Sequence, residues 1–118
     1  METFRFLGFK VYIDARDYFQ RVLIVSEKIN SYSYKDQIRR AALSVILNIA
    51  EGSAKKSDLE FARYLEISLG SLNETVACID VIKCLGKINN LEYNSLLSDA
   101  SELAKQLGGF IKKLKVKG

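Results

Sequence analysis

Gln37 to Gly52 reads QIRRAALSVILNIAEG. From Ala41 to Ala50 the run AALSVILNIA puts apolar side chains over most of a helical circumference, whereas a half-buried strand would alternate apolar with polar. The polar residues Gln37, Arg40, Ser44, Asn48 and Glu51 step by 3, 4, 4 and 3 positions. At about 100° per residue they share one arc of about 80°, a polar stripe on a helix. The pattern predicts a helix over 34–51, with Gly52 as the stop just past its end. Arg39 falls instead in the apolar arc of Leu43, Ile46 and Ala50. A guanidinium there must snorkel or find a carboxylate.

The neighbouring segments carry the same signature. From Phe9 to Asn30, Val11, Ala15, Tyr18, Val22, Val25 and Ile29 repeat at gaps of 4 and 3, which predicts a first helix over 9–30. Ser57 with Glu60 reads as a capping box opening a third helix over 57–85, striped by Ala62, Leu65, Leu69, Leu72, Val76 and Ile79 and stopped by Gly86. Asn89 with Glu92 offers a second capping box before a fourth helix over 91–116, with Leu96, Ala100, Leu103, Leu107, Phe110 and Leu114 in register. The 118 residues contain no proline to interrupt these runs. Four helices joined by short connections predict an all-α fold, an antiparallel up-down-up-down four-helix bundle occupying 1–118 as one domain.

Two of the helices carry more apolar surface than one bundle uses. On the third, Tyr64, Ile67, Ser71, Cys78 and Val81 or Ile82, then Leu85, make a second stripe roughly opposite the first. A monomer of this size has no fully interior helix, so the surplus points to self-association, with Ile67, Ser71, Cys78 and Val81 as interface candidates. On the second helix Arg40, Asn48 and Glu51 are candidates for the same role. The second and third helices run antiparallel about a loop near 53–56, which places Glu74 within a turn of Arg39. The expectation is an ion-pair network of Arg39, Arg40 and Glu74, internal or bridging subunits.

What is absent removes most enzyme designs. The chain has no His, hence no Ser-His-Asp or Cys-His pair and no His metal ligand. Cys78 and Cys84 are six residues apart, about 240° around a helix, and two thiols are too few for a structural zinc site. They read as reduced thiols packed as small hydrophobes. Di-metal bundles need Glu-x-x-His motifs that this chain lacks. The expectation is no enzyme, no cofactor and no metal. No apolar run approaches the roughly 20 residues of a membrane span, and no signal-peptide pattern opens the sequence. A soluble, cytoplasmic protein with no membrane contact is expected.

The net charge is +4, with 18 Lys and Arg against 14 Asp and Glu, and the excess is unevenly placed. In an up-down-up-down bundle the N-terminus, the loop at 53–56 and the C-terminus share one end. Arg5, Lys10, Lys55, Lys56, Lys112, Lys113, Lys115 and Lys117 would converge there. Lysines repeated around an oligomer would attract a polyanion through counterion release, without reading its sequence. Lys55, Lys56, Lys112, Lys113, Lys115 and Lys117 are therefore the nucleic-acid candidates. Lysines near a helix C-terminus also complement its dipole, the plainer account of the tail KKLKVKG.

The segment Gln37 to Gly52 resembles the Q-x-R-R-A-x-x-S-I-x-x-N-I-A-E-G signature of the 23S rRNA intervening-sequence protein family, the small bacterial four helix bundle proteins. Gly70 to Glu74 is similar to that family's G-S-L-x-E element, and Phe9 to Ala15 to its L-x-V-x-x-x-A opening. The resemblance implies a four-helix bundle assembled as a ring-shaped homopentamer. It further implies kinship to the accessory proteins that assist reverse transcriptases in diversity-generating retroelements, and no enzymatic activity. The chain departs from the pattern at Ile46 and Leu47, where the family tends to have proline and a small polar residue. It also departs at Tyr32, Ser33 and Tyr34, which replace a proline-containing turn. The function expected is a non-enzymatic homo-oligomeric adaptor for RNA or DNA, beside a reverse transcriptase or ribosomal RNA. The alternative is a purely protein-binding scaffold.

Overall fold

The computed structural model describes residues 3–117, and of Lys117 the backbone alone, so that candidate's side chain lies outside the described residues. Its helices are α1 (Lys10–Ser26), α2 (Tyr32–Ser53), α3 (Asp58–Cys84) and α4 (Asn90–Lys117), preceded by a 3-10 turn at Arg5–Gly8. No strand occurs among the described residues.

The expected stripe buries α1 through Val11, Ala15, Tyr18, Val22 and Val25. The helix stops at Ser26 rather than Asn30, and the physical reason is local. Ser26 turns its Oγ back to donate to the Leu23 carbonyl at 2.7 Å. The Lys28 and Ile29 N–H groups then bond three residues back, at 3.0 and 3.1 Å. That tightened turn still carries Ile29 into the core, 5% exposed.

Ser31 opens α2 by accepting a hydrogen bond from the Tyr34 N–H at 3.3 Å, so the helix begins two residues before its expected start. At its other end it continues through Gly52 to Ser53. Gly52 is therefore not the stop that the sequence suggested. A Cβ there would stand 2.8 Å from the Tyr64 Cβ and 2.9 Å from Phe61 Cδ1, so the glycine lets α2 and α3 approach closely. The stop that does use glycine conformation is Gly86, at φ 75°. Its N–H donates to the Lys83 carbonyl at 2.9 Å and the Lys87 N–H to the Ile82 carbonyl at 3.2 Å. These two bonds make a Schellman closure of α3. Both expected caps form: Ser57 Oγ accepts from the Glu60 N–H at 3.1 Å, and Asn89 Oδ1 from the Glu92 N–H at 2.8 Å.

Packing follows chain order. α2 lies along α3, α3 along α4, and α1 closes the bundle against α2 and, more sparsely, α4. Leu65, Leu72, Ile79, Leu96, Leu103 and Leu107 meet the α1 and α2 stripes in one core. The thinner α1–α4 seam is pinned by polar groups. The Tyr18 hydroxyl donates to the Leu96 carbonyl at 3.1 Å, Gln106 to Asp14 at 2.9 Å, and Arg21 pairs with Asp99. Burial pushes the Tyr18 phenol above its ordinary pKa. The result is a rod of 45 × 22 × 20 Å, long enough to have two distinct ends and separate faces.

Candidate functional site

One end of the rod gathers the N-terminal turn, the α2–α3 connection and the last turns of α4. Phe9, Phe61 and Phe110 meet there, with ring centroids 5.0 to 6.3 Å apart. Arg5 is part of that structure rather than free charge. Its guanidinium donates to the Ser53 carbonyl at 3.0 and 3.3 Å and lies over the Phe9 and Phe61 rings. It thereby satisfies one of the carbonyls left open at the end of α2.

The lysines at this end divide into two groups. Lys55 pairs with Glu51 at 3.1 Å and sits over the Tyr64 ring, and the Glu51 partner raises its pKa. Lys10 pairs with Asp14 at 2.6 Å and Lys115 with Glu66 at 2.7 Å. Lys56, Lys112 and Lys113 are exposed and have no ion-pair partner among the described residues. Lys10, Lys55 and Lys115 are thus each matched by a carboxylate, and Lys56, Lys112 and Lys113 carry the unmatched charge at this end among the described residues.

The second feature is the long face shared by α2 and α3. Ser44 Oγ and Ser71 Oγ lie 2.8 Å apart across the seam, and Asn48 Nδ2 donates to the Ser44 carbonyl and Oγ at 2.9 and 3.0 Å. Gln37 donates to Glu74 in the same row. Flanking this polar ladder, Leu47, Ile67 and Val81 stand 54%, 47% and 51% exposed. Cys78 is half-buried between them, and its thiol is pushed up by burial and by the Glu74 charge. Arg40 points outward to Asp36 at 2.8 Å, and Glu51 is held by Lys55.

Within one chain Arg39 and Glu74 do not pair. Arg39 faces α1, where it donates to Ser26 Oγ at 2.8 Å and pairs with Glu27. The level of Glu74 along α2 is close to that expected, but the helical face that meets it carries Gln37 instead. Arg39 is also only half-buried, since it snorkels to the rim of the α1–α2 seam.

Two features were missed. Ser68 and Thr75 are fully buried on α3, donating to the Val45 and Ser71 carbonyls at 2.7 and 2.8 Å. The spacing does carry a signal for them: Phe61, Leu65, Ser68, Leu72, Thr75, Ile79 and Ile82 step by 4 and 3, so both hydroxyls fall in the buried row, while Leu69 and Val76 of the expected stripe are half-buried. At the far end an apolar groove of about 440 Å³ opens among Ile29, Tyr34, Ile38, Val81 and Leu85. The signal for it was the unsatisfied end of the second α3 stripe. Among the described residues no group of three His, Cys, Asp or Glu side chains is placed to hold a metal, and no helix is long and apolar enough to cross a membrane.

The profile of the 23S rRNA-intervening sequence protein family matches residues 8–109. A crystal structure of a protein of unknown function from the S23 ribosomal protein family of Bacteroides thetaiotaomicron VPI-5482 superposes with a TM-score of 0.81 at 24% identity, covering 86% of this chain and 98% of that one. That likeness extends the fold agreement to nearly the whole bundle. No curated protein matches the chain.

Proposed function

We propose that this chain, which belongs to the 23S rRNA-intervening sequence protein family, is a non-enzymatic homo-oligomeric adaptor whose basic end contacts RNA or DNA. The observation that carries the reading is the set of exposed lysines at one end of the rod, Lys56, Lys112 and Lys113, which have no ion-pair partner among the described residues. Lys55 and Lys115 lie beside them, each matched by a carboxylate. Copies joined through the α2–α3 face, in a ring of five as the family resemblance implies, would repeat this end around an axis. Each phosphate neutralised then releases counterions, and the affinity falls with salt. The exposed apolar side chains Leu47, Ile67 and Val81 support the assembly half of the reading, since they flank a polar ladder able to fix register.

The test is an anisotropy titration of labelled RNA and DNA of unrelated sequences at two salt concentrations. The wild type is expected to bind all of them at low salt. Neutralising Lys112, Lys113, Lys115 and Lys117 together should weaken binding by similar factors and flatten the salt dependence. Absence of binding by the wild type at low salt overturns the nucleic-acid half of the proposal. That outcome favours the second reading, a protein-binding scaffold, for which the specific observation is the apolar groove at Tyr34, Val81 and Leu85.

A further inference from the structure

Beside the basic end, between α1 and α4, lies a groove of about 390 Å³ lined by aromatic and basic side chains. Phe9 and Phe110, both half-buried, line it together with Lys10, Lys105 and Lys113. The Phe110 ring is held edge-on by Phe9 at 5.6 Å and by Phe61 at 5.0 Å, so its position is set by packing. Gly109 lines the groove and faces open space, since a Cβ there would meet nothing within 4 Å. Lys105 and Lys113 have no ion-pair partner among the described residues, while Lys10 is held by Asp14 at 2.6 Å yet remains exposed.

Arg5 already lies over the Phe9 ring, so Phe110 is the platform, and a fixed aromatic ring beside cations that have no ion-pair partner among the described residues suits one class of polyanion in particular. A single-stranded nucleic acid offers a flat base face to stack on that ring and phosphates to meet the lysines, whereas a duplex hides its base faces. We propose that this groove seats an unpaired nucleobase of single-stranded RNA or DNA, with Lys105 and Lys113 at the flanking phosphates. The inference rests on the nucleic-acid reading above and adds to it a site and a preference for single strands. The groove is built by α1 and α4, away from the α2–α3 face, so joining copies through that face leaves it open. Recognition is tolerant of sequence, because every base has a face to stack.

The test compares three probes by anisotropy: oligo-dT, a strand of equal length whose sites are abasic, and a duplex. The wild type is expected to bind oligo-dT roughly tenfold more tightly than the abasic strand. Gly109→Leu places a side chain in the open groove at a helical position that Leu favours, and circular dichroism checks that helicity is kept. This variant is expected to lose the oligo-dT advantage while its salt dependence stays that of the wild type, because the phosphate contacts remain. Lys105→Gln should flatten the salt dependence instead. Equal wild-type affinity for oligo-dT and the abasic strand overturns the groove and leaves the basic-end reading standing. So does a helical Gly109→Leu variant that retains the advantage. Failure of the wild type to bind any strand at low salt overturns the reading on which the groove depends. Should Gly109→Leu lose helicity, the wild-type comparison of oligo-dT with the abasic strand decides alone.

Discussion

Gly52 on α2 and Tyr64 on α3 are so close that a Cβ on the glycine would lie 2.8 Å from the Tyr64 Cβ, a separation real side chains do not tolerate. The adjoining Phe61 ring, itself part of the aromatic cluster with Phe9 and Phe110, closes the space from the other side at 2.9 Å. The position couples α2–α3 packing to the geometry of the basic end.

Gly52→Ala is accordingly expected to destabilise the fold. Alanine is worth about 1 kcal/mol over glycine inside a helix, but forcing a methyl group into a packed contact costs typically about 1 to 3 kcal/mol. Denaturant unfolding should show a net loss, and a gain would mean that the helices separate without cost. Gly86→Ala should also destabilise, by roughly 1 to 2 kcal/mol, for the different reason that its φ of 75° disfavours any Cβ.

The charges around Arg39 give a second prediction. Because Arg39 engages Ser26 and Glu27 while Glu74 accepts from Gln37, a double-mutant cycle between Arg39 and Glu74 should return no coupling. The cycle between Arg39 and Glu27 should return up to about 1 kcal/mol, as fits a pair near the surface. A large Arg39–Glu74 coupling would show that the two meet, either within one chain or across subunits.

Cys78 and Cys84 provide an internal comparison. Cys84 is exposed and Cys78 half-buried, and burial with the nearby Glu74 charge raises the Cys78 pKa. The thiolate is the reactive form, so a raised pKa shifts the onset of reactivity upward. Alkylation of Cys78 should still be accelerating with pH where an ordinary thiol has levelled off. In an assembly joined through the α2–α3 face, Cys78 labelling should slow as protein concentration rises while Cys84 labelling does not. Mass spectrometry of the labelled peptides reads both rates, and parallel behaviour would remove Cys78 from any interface.

Much of the bundle was legible in the sequence because the information is periodic. The α1 stripe from Val11 to Ile29 and the caps at Ser57 and Asn89 depend on residues within a turn of each other, which spacing reports directly. The role of Gly52 and the identity of Arg39's partner escape the sequence for one shared reason. Both are set by what the next helix presents, Tyr64 and Phe61 in one case and Ser26 and Glu27 in the other, and single-helix periodicity carries no record of a partner's rotation. The basic end followed from topology alone. Its aromatic component did not, since Phe110 reads as core stripe and Phe9 only as the start of a helix, and their meeting requires α1 and α4 side by side.

Assembly through the α2–α3 face would bring the basic ends of several copies together. Light scattering coupled to size exclusion at micromolar concentration tests it most directly, on the wild type and on Ile67→Glu and Val81→Glu, whose side chains are exposed in the single chain and should leave helicity intact. The account predicts a wild-type mass several times the 13.3 kDa of one chain, five copies being the expected number, and a single-chain mass for both variants. A wild-type mass of 13.3 kDa, or variants that assemble as the wild type does, would contradict it.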